Sequence, residues 1–380
     1  MNPRQQLDAL AEKQLLRTLH PLEAPEKDLC VVENGRELWN FASNDYLGLS
    51  THSAISAAFI EGIERYGTGS GASRLVTGTS VAHSELEETI ANAKLSEAAL
   101  TFGSGYSAAL STLPILVGKG DFVILDRLAH ASLIDAARFS EATLRVFQHN
   151  DVDHLHSILQ HIRNKHPEAE ILVVTESVFS MDGDVCPLQS VVEACENYRA
   201  RLLLDEAHAI GVLGPTGMGL AEQLGLQDRI EFQMGTLSKA VGLSGGYLAA
   251  SRDWIELIIN RSRPFIYTTA PPPALAHAAN VAIRLIQTDE GKTLRDRLSE
   301  HIKRLGNPHP SAILPIILGS NRAALEAAKT LKDLGYLIPA IRFPTVPKNT
   351  ARIRITLSAK HSGDVIEDLK REIRQLPSIG

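Results

Sequence analysis

The sequence predicts an α/β protein, with a large domain built on a mostly parallel sheet flanked by helices and a smaller C-terminal α+β domain. Two observations predict the large domain. Short apolar runs at 98–102, 122–126, 144–147, 171–176, 201–205, 231–235 and 246–250 alternate with stretches of helical periodicity at 105–117, 130–139, 152–165 and 188–198. The runs are almost continuously apolar, which marks strands covered on both faces. A third observation predicts the small domain. The Pro-rich turn at 270–273 opens a helical stretch to about residue 298. After it, strand-like runs at 312–318, 336–341 and 352–357 interleave with helices at 321–334 and 362–376.

The expected divisions are an N-terminal helix and connecting segment (1–45), the large domain (46–290) and the small domain (291–380). In the first 22 residues, Leu7, Leu10, Leu15 and Leu16, with Asp8 and Glu12 between them, read as an amphipathic helix without the apolar core of a secretory signal. The segment up to Phe41 is too short to fold alone and is expected to pack with the C-terminal part. The glycine-rich stretch 67–78 precedes a helix at 81–94 and reads as a close-approach loop or as a plain linker.

Composition narrows the function. The 380 residues carry a net charge of −6, against a protein that coats nucleic acid. No run has the length of a membrane span. Cys30, Cys186 and Cys195 are few, odd in number and outside any CxxC pattern, so neither a disulfide framework nor a zinc site is indicated. A soluble, reducing, cytoplasmic setting is the expectation.

Ligands of such sheets bind at the carboxyl ends of strands, where Asp126, Glu176 and Asp205 fall. Asp205-Glu206-Ala207-His208 is followed by Lys239, set among Thr236, Ser238 and Gly235. An aspartate at a strand end can keep a pyridine nitrogen protonated, and a lysine among hydroxyls can form a Schiff base. Together they describe a pyridoxal 5′-phosphate (PLP) site, with His208 positioned to hydrogen-bond the phenolic oxygen. Asp-Glu-Ala-His is also a helicase box, but that machinery needs a P-loop. The one Gly-Lys-Thr starts at Gly291, and the earlier glycine position holds Ile286. Gly103-Ser104-Gly105-Tyr106-Ser107-Ala108 matches a dinucleotide fingerprint, with Asp126 ending the next strand. That reading leaves Lys239 and Asp205 idle, so the turn is assigned to the PLP phosphate. His130 follows Asp126 at a strand-to-helix junction, where an imidazole can stack on a cofactor ring; a surface histidine is the ordinary alternative. Ser180 is either a cofactor contact or a turn serine. Arg342, Arg352 and Arg354 compete as the bidentate partner of a carboxylate.

With these residues in view, the chain resembles the α-oxoamine synthases, PLP-dependent enzymes of transferase fold type I, from about Asn40 to the C-terminus. The resemblance rests on Ser43-Asn44-Asp45-Tyr46-Leu47-Gly48, on Gly69 to Arg74, on His130 to Leu133, on Glu176 to Gly183, on the Asp205 and Lys239 motifs, and on Thr345-Val346-Pro347 with Ala351 to Arg354. It implies that Lys239 is the Schiff-base lysine, that Asp205 faces the pyridine nitrogen and His208 the phenolic oxygen, and that His130 stacks on the ring. Gly105, Tyr106, Ser180 and Thr236 would bind cofactor, with Thr268 or Thr269 reaching the phosphate of a second subunit in a homodimer. Arg17, Asn44 and Thr345 would meet substrate. Arg354 matches the amino-acid carboxylate position, with Arg342 the other candidate. The Thr-Val-Pro segment and compact length favour the member that condenses L-alanine with a pimeloyl thioester in biotin biosynthesis. A glycine-using sister is the alternative. Ala129 before His130, where Ser is common, and the short stretch 307–311 depart from the family pattern.

Overall fold

The computed structural model describes residues 2–23 and 29–376. Contacts divide the chain into two units. One takes Leu47–Ser180 and Asp184–Asp296; the other takes Met1–Tyr46, Met181–Gly183 and Arg297–Gly380 where these are described.

The first unit is built on a seven-stranded sheet. From one edge the order is Ala98–Phe102, Gly246–Ala250, Phe232–Thr236, Arg201–Asp205, Ile171–Glu176, Phe122–Asp126 and Thr143–Phe147. Gly246–Ala250 runs antiparallel to both neighbours, and the other neighbouring pairs are parallel. All seven strand-like runs therefore become strands of one sheet. Phe122–Asp126, Ile171–Glu176 and Phe232–Thr236 are buried at every position and Arg201–Asp205 at all but its first, as strands covered on both faces are. On one face, side chains such as Leu100, Val123, Leu172, Leu203 and Phe232 pack with Leu113, Leu133 and Ile258 of the helices Gly105–Leu116, Ala131–Phe139 and Arg252–Arg261. Each Leu buried this way contributes about 1.5–3 kcal/mol.

The sequence expectation of one long helix from the Pro-rich turn to about residue 298 is corrected. Pro273–Ile286 ends, and Asp289–Leu305 starts afresh. Thr288 Oγ1 donates to the Leu285 carbonyl and accepts the Gly291 N–H, so one side chain closes the first helix and opens the second. The glycine-rich stretch is not a plain linker. Its last five residues, Arg74–Gly78, form a single π-turn. Arg74 is buried there and grips Glu87 through both terminal nitrogens, at 2.9 and 3.0 Å.

The second unit holds two three-stranded sheets. Arg36–Asn40 pairs antiparallel with Cys30–Glu33 and parallel with Tyr336–Leu337. Ala351–Thr356 lies between Ile313–Gly319 and Ala340–Ile341, antiparallel to both. The N-terminal helix is Pro3–Glu12, shorter than its leucine spacing suggested. Gln14 takes a positive φ of 56° just beyond it, and no residue of the helix is buried.

Lys94 and Glu206 form an ion pair that is almost wholly shielded, at 1% and 0% exposure. Lys94 Nζ also donates to the Met218 carbonyl, and Glu206 accepts the Ala221 N–H. Removing one member strands the other charge in the core. Lys94→Met is therefore expected to lower stability by about 3–5 kcal/mol, seen as a fall in the urea midpoint. Pairing it with Glu206→Met should recover much of the loss. An unchanged midpoint in the single variant would contradict the account.

Candidate functional site

Four strands of the large sheet end side by side and deliver Asp126, Glu176, Asp205 and Thr236. Beyond three of these ends lies a cavity of about 240 Å³, lined by Ser104, Gly105, Tyr106, His130, Ser132, Glu176, Asp205, His208, Thr236 and Lys239, among others. It is a little smaller than the ~300 Å³ at which drug-sized sites begin.

Each lining group has a local cause. Ser104 caps the helix Gly105–Leu116, its Oγ accepting the Ser107 N–H, so that helix presents its positive end to the cavity. A β-carbon on Gly246 would meet the Gly105 backbone at 2.6 Å, and glycine lets the sheet rise close beneath the helix start. Asp205 Oδ1 accepts the Ala207 N–H at 2.9 Å. Burial raises the Asp205 pKa, while Lys239 and His130 pull it down. Lys239 Nζ lies 2.7 Å from His208 Nε2. His130 caps the helix Ala131–Phe139: its Nδ1 accepts the Ser132 N–H. The neutral ring must then carry its proton on Nε2, leaving that nitrogen as a donor. Burial lowers the His130 pKa below the ordinary histidine value, against the opposing pull of Asp205.

Glu176 was read from the sequence only as a strand end. It is buried on the cavity wall, and its Oε1 accepts the His130 backbone N–H at 2.6 Å. Asp126 is not among the lining residues. Its carboxylate takes His149 Nδ1 at 2.9 Å and the N–H groups of Leu128 and Asn150, while His149 Nε2 reaches Asp184 at 2.7 Å. Ser180 is buried on the turn after Ile171–Glu176, and it too is outside the lining set. Thr268 and Thr269 are exposed and border a separate cavity with Arg74, Gly103 and Ser107.

In the other unit, Arg17 donates to Thr345 Oγ1 at 3.2 Å, and Arg342 is held by the Gln14 and Leu16 carbonyls. The three competing arginines separate here. Arg352 is buried against Asp182 and the Met181 carbonyl. Arg354, also buried, donates to Asn44 Oδ1 and Thr356 Oγ1. Neither is the solvated surface charge that alternation along a strand allowed.

The cavity suits PLP in the chemistry of its donors. A helix start and hydroxyls suit a phosphate, a buried carboxylate suits a cationic ring nitrogen, and the Lys239 amine lines the same cavity. Fold and site define a PLP-dependent enzyme of fold type I. The chain belongs to the aminotransferase class I and II family, whose model matches residues 36–373. It is 42% identical, over 99% of its length and 97% of the other's, to the 8-amino-7-oxononanoate synthase of Geobacter sulfurreducens. The serine palmitoyltransferase of S. paucimobilis, solved with bound PLP, superposes with a TM-score of 0.91 at 30% identity, covering 98% of both chains. The 8-amino-7-oxononanoate synthase of Francisella tularensis gives 0.73 at 25% identity, covering 89% of this chain and 98% of that one. Among the described residues, no helix is long and apolar enough to cross a membrane.

Both His149 nitrogens meet carboxylates. Burial opposes the charged ring, but the hydrogen bonds and charges of Asp126 and Asp184 win and raise its pKa from 6.5 to about 10. The folded value lies above the unfolded one. The stabilisation is therefore complete below 6.5 and vanishes as pH climbs through about 10. His149→Gln should lower the melting temperature at about pH 6 and change it little at about pH 11. A gap constant over that range would refute the assignment.

Proposed function

We propose that this protein condenses L-alanine with a pimeloyl thioester, of CoA or of a carrier protein, giving 8-amino-7-oxononanoate, the free thiol and CO2, a step of biotin biosynthesis. The observation that carries the proposal is the cavity in which Lys239, His208 and Asp205 converge, in a chain 42% identical to a synthase of that name. The fold alone does not choose the substrates, since a serine palmitoyltransferase superposes closely. Sequence identity along nearly the whole chain favours alanine and the pimeloyl donor over the glycine-using alternative.

Bound here, PLP supplies an electron sink for negative charge at the α-carbon of the amino acid. Lys239 would hold it covalently. Asp205, kept from water, favours a protonated ring nitrogen by its charge. His208 would hydrogen-bond the phenolic oxygen, the start of the helix Gly105–Leu116 would hold the phosphate, joined by Thr268 or Thr269 of a second copy in a homodimer, and Tyr106, Ser180 and Thr236 would also bind cofactor. Lys239 Nζ takes the α-proton as general base. His130 would pack on the ring, and its Nε2–H would donate to the oxyanion that develops when the thioester carbonyl is attacked. Arg354, which matches the amino-acid carboxylate position of the resemblance, would hold the amino-acid carboxylate, with Arg342 as the competing choice. Arg17 and Thr345 would contact the acyl substrate, and Asn44 would also meet substrate. A cytoplasmic setting, in which the three buried thiols stay reduced, completes the reading.

Two experiments test this. Purified protein given PLP, L-alanine and pimeloyl-CoA should form a product with the mass of 8-amino-7-oxononanoate, and none when glycine replaces alanine. Product from glycine alone would turn the assignment to the sister activity. Lys239→Ala should abolish turnover, with a kcat loss on the order of 10³-fold or more, and should leave no borohydride-trapped adduct. Full activity in that variant would overturn the mechanism.

A further inference from the structure

Glu176 is the cavity carboxyl for which the reaction just described has no use. It ends the strand Ile171–Glu176 in register with Asp205 on the neighbouring parallel strand. Paired positions on parallel strands project to the same face, with the strands about 5 Å apart. The two carboxyls thus share one wall of the cavity, at 2% and 7% exposure. Two carboxyls so close and so dry do not both ionise; one keeps its proton.

The surroundings decide which. Asp205 accepts the Ala207 N–H and faces the positive side chain of Lys239 and the ring of His130, with Glu206 beyond. Glu176 accepts one N–H, from the His130 backbone, and faces two acids, Asp205 and Asp126, against Lys239. Asp126 is already matched by His149, which also binds Asp184. Burial raises the pKa of both, and the more favourable partners stand around Asp205.

We infer that Glu176 is a positioning residue that stays protonated in the working enzyme, leaving Asp205 the one carboxylate charge on this wall while a Glu176 oxygen anchors the backbone of His130. One negative charge matches the one positive charge of a pyridinium. A second would draw a proton onto the His130 imidazole. The amide anchor fixes the start of the helix Ala131–Phe139 and with it the height of the imidazole over the cavity. This inference rests on the reading of the cavity as a PLP site.

The test is an infrared measurement on the wild-type holoenzyme with ¹³C-labelled glutamate. A protonated-carboxyl carbonyl band, shifted by the label and missing in Glu176→Gln, is the expected result at neutral pH. A band of ionised carboxylate in its place, lost in the same variant, overturns the inference. Kinetics give the second arm. Glu176→Gln keeps a neutral acceptor, and its kcat and the pH titration of its cofactor absorbance should stay within about threefold of wild type. Glu176→Ala removes the acceptor, and kcat should fall roughly tenfold or more while the KM for the amino acid moves less than about threefold. Equal damage in both variants, or none in Glu176→Ala, sinks the positioning role. The infrared arm needs no turnover, so a wrong acyl donor leaves it intact. Failure of the cofactor reading shows separately, as the lack of a trapped adduct at Lys239.

Discussion

The Asp205 motif works because its middle charge points the other way. Asp205 and His208 line the cavity, whereas Glu206 turns into the core and meets Lys94. Glu206 occupies the space where a β-carbon on Gly219 would stand, at 2.4 Å, and Gly219 takes a φ of 110° that glycine adopts freely. The same carboxylate accepts the Ala221 N–H, and Gln233 donates to the Lys94 carbonyl. One buried ion pair thus ties the loop after Arg201–Asp205 to the helix Val81–Ala93. A buried pair of this kind adds little net stability over apolar residues. What it fixes is the direction in which the loop leaves the strand, and therefore where His208 meets Lys239.

The strand ends gather buried charge. Asp126, Glu176 and Asp205 end three neighbouring strands, the last two on the cavity wall, and three anions so placed would repel strongly. Each is handled differently. Asp126 is neutralised by His149 and capped by two backbone N–H groups. Asp205 faces Lys239. Glu176 accepts the His130 N–H and shares Lys239 with Asp205. The chemistry of the site follows from this inequality of partners more than from the identity of the acids.

Much of this was legible in the sequence because the responsible signals are local. Continuous apolar runs gave all seven strands of the large sheet, and strand ends gave the acids. The motifs around Asp205 and Lys239 pointed to residues that the fold brings to one cavity. What stayed hidden depends on partners distant in the chain. Arg352 and Arg354 are equivalent by alternation, and only Asp182 beside the first and Asn44 beside the second tell them apart. Glu176 looked like any strand end because its distinction is its register with Asp205. His149 gave no signal, since its two aspartates come from a strand end and from a loop well apart in the chain. The break between Pro273–Ile286 and Asp289–Leu305 hangs on one threonine hydroxyl, which periodicity does not register.

The strand Arg36–Asn40 has a further consequence, in time. Its parallel neighbour, Tyr336–Leu337, lies near the other end of the chain, and Trp39 donates its amide to the Gly335 carbonyl. A ribosome adding about 5–20 residues per second makes the two strands tens of seconds apart. The sheet of the large unit, whose strands all lie between Ala98 and Ala250, can assemble meanwhile. Arg36–Asn40 cannot complete its pairing, and keeps an open edge until Tyr336–Leu337 is made. An exposed edge of this kind is a template for pairing with other chains, so this strand is the one most in need of shielding until its late partner arrives.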